Sequence, residues 1–200
     1  IQFAPEAIAR SNADILKDDE LRKEFIEIYS EQGKDEARNW INSSYGPFSE
    51  EELDHRMSRY GLNPCGEILG NDFHCNLAEV HLNQIDPGNF EEQKKAFKAA
   101  ALSVACLLNH EFEVERYRKS REYDPIVGVS FTGLFDFCVH AFGTPWLKWW
   151  EAGRPNSEEG KAFKEKEAKF LDSWRKIVKE TVWEYCDKHN LRRPNRCTTV

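Results

Sequence analysis

Apolar side chains recur every three or four residues through the last third of the chain. Between residues 157 and 188 they fall at Phe163, Phe170, Trp174, Val178 and Val182, with lysines and glutamates between them. This period places the apolar side chains on one face of an α-helix. The sequence therefore predicts a long amphipathic helix over 157–188, with a charged face in solvent.

The same spacing predicts shorter helices earlier in the chain. One spans 19–32, and another starts after Asn89, where Glu92 three residues later completes a capping box. The expected buried face of this second helix consists of Phe97, Ala101, Val104, Ala105 and Leu108.

Short runs with a different pattern separate the helices. Residues 62–69, 75–82 and 126–131 are predicted to be extended, and the chain ends on a β-branched run typical of a strand, Thr198-Thr199-Val200. Strands that alternate with helices favour an α/β class.

A cluster of tryptophans follows the predicted helix start at Thr144-Pro145. Trp146, Trp149 and Trp150 lie close together in sequence. We expect them to form a packed outer surface of the domain, and a stacking site for a base or a cofactor is the alternative.

The charge balance limits the partners. The net charge is −7 and the pI is about 5.5, which argues against general binding to nucleic acid. No apolar run is long enough to cross a membrane, so no membrane partner is expected. Arg192, Arg193 and Arg196 nevertheless form a local basic cluster that suits a nucleotide phosphate.

The six cysteines show no CxxC motif and no disulfide-scaffold spacing, which favours a reduced, cytoplasmic location. Cys106, Cys138 and Cys186 lie in apolar helical contexts and are predicted to be buried structural thiols.

Asn63-Pro64-Cys65-Gly66-Glu67 carries the candidate chemistry. If this run is extended, its amide, thiol and carboxylate project to the same side. Pro64 and Gly66 suit a loop that a substrate approaches closely, better than they suit a strand core. Cys75 could return to that face if the chain doubles back, and the turn residues available for this are Gly66, Gly70, Asn71 and Asp72.

Cys65, His74 and Cys75 could alternatively hold zinc. A fourth ligand at short spacing is missing, so no metal site is expected, and His74 and His81 are predicted to be structural.

The run 63–68 with Cys75 resembles the active-site segment of ribonucleotide reductases, and Pro64 is similar to the adenosylcobalamin-dependent branch. The resemblance continues in 127–134 and in 197–200. It implies that Cys65 forms the thiyl radical that abstracts the ribose 3′ hydrogen, with Glu67 as the base. It also implies that Asn63 and Gly66 bind the substrate, and that Cys75 is half of a reducing dithiol whose partner lies outside the chain.

The resemblance further implies part of a ten-stranded α/β barrel with a central active-site finger loop, helix-rich in this stretch. Residues 1–200 would be an incomplete portion of that catalytic domain, because the chain starts at Ile1 without a methionine. The implied cofactor is adenosylcobalamin. The implied partners are a ribonucleotide substrate, a thioredoxin-like reductant and an allosteric deoxynucleotide effector. Two alternatives remain: a class I reductase whose radical comes from a partner subunit, and a non-catalytic piece that only folds or binds.

Overall fold

The computed structural model describes residues 19–45, 47–57, 61–62, 69–70, 72–74, 76–194 and 196–198. Two compact units are present. The first comprises residues 1–74 and 112–124, and the second comprises residues 75–111 and 125–200.

Helices dominate both units. In chain order the elements are α1 (Asp19–Glu31), α2 (Lys34–Tyr45), α3 (Glu50–Met57), β1 (Gly61–Leu62), β2 (Leu69–Gly70), β3 (Asn76–His81), α4 (Phe90–Cys106), α5 (Glu115–Tyr123), β4 (Ile126–Thr132), α6 (Leu134–Glu151), α7 (Glu158–Lys188) and β5 (Arg196–Thr198). Single 3₁₀ turns lie at Leu82–Gln84 and Leu107–Asn109.

The core of the first unit is small. Phe25 of α1, Ala37 and Ile41 of α2 and Leu53 of α3 are buried together. Their helical spacing turns one face of each helix inward, which confirms the helix predicted over 19–32.

Helix α5 is tied to α3 within the first unit. The ammonium group of Lys119 donates to Oε1 of Glu51 at 2.8 Å, and the hydroxyl of Tyr123 donates to Oε2 at 2.9 Å. Both hydrogen bonds lower the pKa of the Glu51 carboxyl. The hydrogen bond from Lys119 has the larger effect on this pKa, and that from Tyr123 follows.

The second unit is built on a parallel sheet of three strands in the order β3-β4-β5. The register places Asn76 opposite Val127 and Ile126 opposite Arg196, so the amino ends of the three strands lie together. One face packs on α4, α6 and α7, with Val80, Val127 and Val129 in a shared core. The opposite face of β3 is exposed at Leu77, Glu79 and His81.

Helix α4 begins as its sequence predicts. The side chain of Asn89 accepts from the backbone N–H of Glu92 at 3.1 Å. The five side chains predicted for its buried face are all at most 4% exposed. Gln93 is also fully buried, and its Oε1 accepts from the indole N–H of Trp174 on α7 at 3.0 Å.

Helix α6 breaks at Gly143, which has φ 73° and ψ −165°. The chain resumes the helix through Pro145, as the Thr144-Pro145 pair predicts. Trp146 and Trp149 are buried, which confirms their packing role, but Trp150 is 40% exposed.

The excess of helix is confirmed, and the combination of helices with a small parallel sheet is compatible with the predicted α/β class. The three parallel strands are compatible with a segment of a larger α/β structure, and the ten-stranded barrel stays a prediction.

Candidate functional site

The residues predicted to carry the chemistry lie outside the described part of the chain. They are Asn63, Cys65, Gly66, Glu67 and Cys75. Their mutual geometry therefore remains as the sequence predicts it, and the described residues give its surroundings.

The two ends of the candidate run are paired. Gly61 lies opposite Gly70, and Leu62 lies opposite Leu69, in an antiparallel ladder. These two described pairs bring the segments on either side of residues 63–68 side by side, as the implied finger loop would require. Gly70, predicted as a turn residue, is instead part of this ladder.

Segment 72–74, which leads towards Cys75, is held by the region around α5. Asp72 adopts a left-handed backbone (φ 47°), as expected of a turn residue, and its Oδ1 lies 4.0 Å from Nε of Arg116. The ring of His74 packs on Phe112 with the centroids 4.9 Å apart, and the guanidinium of Arg121 lies 4.6 Å from the centre of the same Phe112 ring. His74 thus has the packing expected of a structural residue.

Among the described residues, no three His, Cys, Asp or Glu side chains are grouped as metal ligands. The zinc alternative depends on Cys65 and Cys75, which lie outside them. No helix in the described ranges has the length and apolar content needed to cross a membrane.

Three described cysteines are unsuited to thiolate chemistry. Burial raises the pKa of Cys138 and of Cys186 to about 11, and that of Cys197 to about 12. A buried thiol that stays protonated reacts poorly in disulfide exchange. This matches the structural role predicted for Cys138 and Cys186.

The prediction that Cys106 is a buried structural thiol is wrong, because its side chain is exposed. It follows Ala105 by one residue, and one step along a helix rotates a side chain by about 100°, away from the face that Ala105 and Leu108 bury. Apolar neighbours in sequence were therefore a poor guide to its burial.

The predicted basic cluster is partly neutralised. Arg193 donates from Nε to Oδ1 of Asp187 at 2.7 Å, and its Nη2 pairs with Oδ2. Its guanidinium also lies 5.0 Å from the centre of the Trp183 ring. Arg193 therefore anchors the segment leading to β5 to the end of α7. The sequence pattern did not predict this ion pair, because Asp187 lies on the preceding helix.

Comparison with known proteins gives one similarity. The chain is 30% identical over 146 residues to an adenosylcobalamin-dependent ribonucleoside-triphosphate reductase of Lactobacillus gasseri. The match covers 70% of this chain and 19% of the relative, so the chain spans about a fifth of that protein's length. No protein-family model and no solved structure matches the chain. The similarity supports, at most, a relationship to a segment of a ribonucleotide reductase.

Proposed function

We propose that the chain is the segment of a ribonucleotide reductase that carries the reacting thiol, acting on ribonucleoside triphosphates or diphosphates. The observation that carries this proposal is the similarity, over most of the chain, to a reductase of that name. The antiparallel pairing of Leu62 with Leu69 supports it, because the finger loop that the family resemblance implies needs its two flanks side by side.

Cys65 is the residue that reacts with the sugar. As a thiyl radical its sulfur takes the hydrogen atom from the ribose 3′ carbon, and the same S–H bond returns a hydrogen atom at the end. A thiol suits this exchange because its S–H bond is weak enough to be broken and strong enough to be re-formed.

Glu67 and Asn63 handle the hydroxyl groups. The Glu67 carboxylate accepts the proton of the 3′-hydroxyl, which helps the 2′-hydroxyl to leave as water. Asn63 hydrogen-bonds a ribose hydroxyl, and Gly66 allows the substrate to approach the backbone closely.

Cys75 supplies reducing electrons. With a second thiol outside the chain it gives two electrons and two protons, and the pair becomes a disulfide. A thioredoxin-like protein restores the dithiol, and a deoxynucleotide effector regulates the enzyme in the cytoplasm.

Adenosylcobalamin, when bound, would supply the initiating radical, as the name of the similar reductase suggests. The donor set fits such a cofactor, since a thiol is the kind of group that an organic radical oxidises. The residues of this chain then orient the sugar and move its protons.

The test uses the complete gene product that contains this chain. It is incubated with adenosylcobalamin, a dithiol reductant and each ribonucleoside di- and triphosphate, and deoxynucleotide is measured. Cys65→Ser should abolish turnover while nucleotide binding is kept, and Cys106→Ser, which removes an exposed thiol elsewhere, should leave turnover unchanged.

Four results would contradict parts of the proposal. Turnover in Cys65→Ser would remove the thiyl role, and normal turnover in Glu67→Gln would remove the base role. Turnover that needs a second, radical-bearing subunit instead of the cofactor would favour a class I reductase. No turnover under any condition would favour the non-catalytic alternative.

A further inference from the structure

A cavity of about 410 Å³ opens between α6 and α7 in the second unit. Its volume lies within the ~300–1,000 Å³ typical of small-molecule sites. The break at Gly143 helps to form it, because residues on the two halves of α6 face each other across the break. The ring of Phe135 lies 5.3 Å from that of Trp146 and 5.6 Å from that of Trp150.

Aromatic side chains form the walls and the opening. Phe137 and Trp174 are buried in the walls, whereas Phe135, Trp150 and Leu171 are 43%, 40% and 38% exposed. Large apolar side chains grouped around one opening mark a place where a ligand or a partner is bound.

The polar groups of the walls are already engaged. The indole N–H of Trp146 donates to Oε1 of Glu167 at 2.7 Å, and Nη2 of Arg154 donates to Oε2 at 2.6 Å. The indole N–H of Trp174 is bound to Gln93. The cavity therefore offers mainly ring faces, and a ligand with polar groups along its body would lose hydration without replacement.

The cationic group at the opening is the guanidinium of Arg154, which is paired with Glu167. Arg154 is 39% exposed, whereas Glu167 beneath it is 14% exposed, so a solute meets the guanidinium first. That guanidinium is stacked 4.9 Å from the centre of the Trp150 ring. Nη2 is bound to Glu167, but a guanidinium has five N–H donors and this side chain is 39% exposed, so the group can still donate to an anion.

We propose that this cavity binds a planar aromatic compound that carries one anionic substituent. The ring system enters the cavity past the exposed side chains of Phe135, Trp150 and Leu171, and the anion stays at the opening on Arg154. The proposal is independent of the reductase function, because the described lining residues belong to α6, α7 and the turn between them, which the reductase proposal gives no role.

The experiment titrates the protein with 2-naphthoate by calorimetry. We expect saturable binding of one molecule per chain. Trp150→Ala and Arg154→Gln should each weaken it about tenfold, the order expected for losing an aromatic contact or a charged hydrogen bond. Leu171→Glu, which brings a carboxylate to the rim, should also weaken it. Phe90→Ala removes an equally exposed aromatic side chain away from the cavity and should leave it unchanged.

Two other compounds separate the parts of the proposal. Naphthalene-2-methanol lacks the charge and cyclohexanecarboxylate lacks the aromatic ring, and both should bind more weakly than 2-naphthoate. Equal binding by either compound, unchanged affinity in Trp150→Ala, or no saturable binding would overturn the proposal. Self-association of the protein that is lost in Trp150→Ala would overturn it too, because a second copy would then be the occupant.

Discussion

Replacing Gly133 by alanine tests the turn that joins β4 to α6. Gly133 has φ 75°, in the left-handed region, where a residue with a Cβ costs about 1–2 kcal/mol. An added Cβ would lie 2.9 Å from the backbone nitrogen of Asn83 and 3.0 Å from its Cβ. Overpacking of this kind costs a further ~1–3 kcal/mol. We therefore expect Gly133→Ala to lower the free energy of unfolding by about 2–5 kcal/mol.

Gly153 provides the matched control. It has φ 81°, and an added Cβ there would have no atom within 4 Å. Gly153→Ala should therefore cost only the conformational part, about 1–2 kcal/mol. Urea unfolding followed by tryptophan fluorescence is a suitable assay, because only Trp40 of the six tryptophans lies in the first unit. If both variants lost the same stability, the close approach of Asn83 to Gly133 would be wrong.

Further predictions concern the core, the thiols and an ion pair. Gln93→Ala should cost about 2–4 kcal/mol in thermal unfolding, because it leaves the buried Trp174 N–H without its acceptor. Phe97→Ala should cost about 3–5 kcal/mol in the same assay, whereas Phe90→Ala, at an exposed position, should cost far less. In a Cys65→Ser, Cys75→Ser background, a thiol reagent should label Cys106 in the folded protein and the other three cysteines only after unfolding. The hydrogen bond from Arg193 lowers the pKa of Asp187, so its stabilisation should be present above about pH 4 and lost as pH falls through the folded pKa. Asp187→Asn should therefore be less stable than the parent near pH 7 and equal to it near pH 2, as measured by urea unfolding.

Helical periodicity predicted α4 and α7 well. Their buried side chains repeat at three and four residues, because one face of each helix packs against the core. Periodicity did not predict the exposed face of Cys106, because a mainly apolar local context does not define which side of the helix faces the core.

Features that depend on tertiary geometry could not be found from spacing. The aromatic cavity requires the break at Gly143. The pairing of Arg193 with Asp187 requires the chain after α7 to turn back towards the end of that helix. For the candidate site, the described residues show the antiparallel pairing of Leu62 with Leu69 on either side of the predicted run. The convergence of Asn63, Cys65, Glu67 and Cys75 stays a prediction.

The strand order of the second unit affects how this part of the chain acquires its structure during synthesis. β4 pairs with β5, but residues 133–195 separate them. At about 5–20 residues per second, that connection takes several seconds to emerge from the ribosome. During this interval β4 can pair only with β3 and pack on α4, and its second edge stays open. A nascent chain is therefore most exposed to edge-to-edge aggregation while α6 and α7 are being made, which is when a chaperone would protect it most.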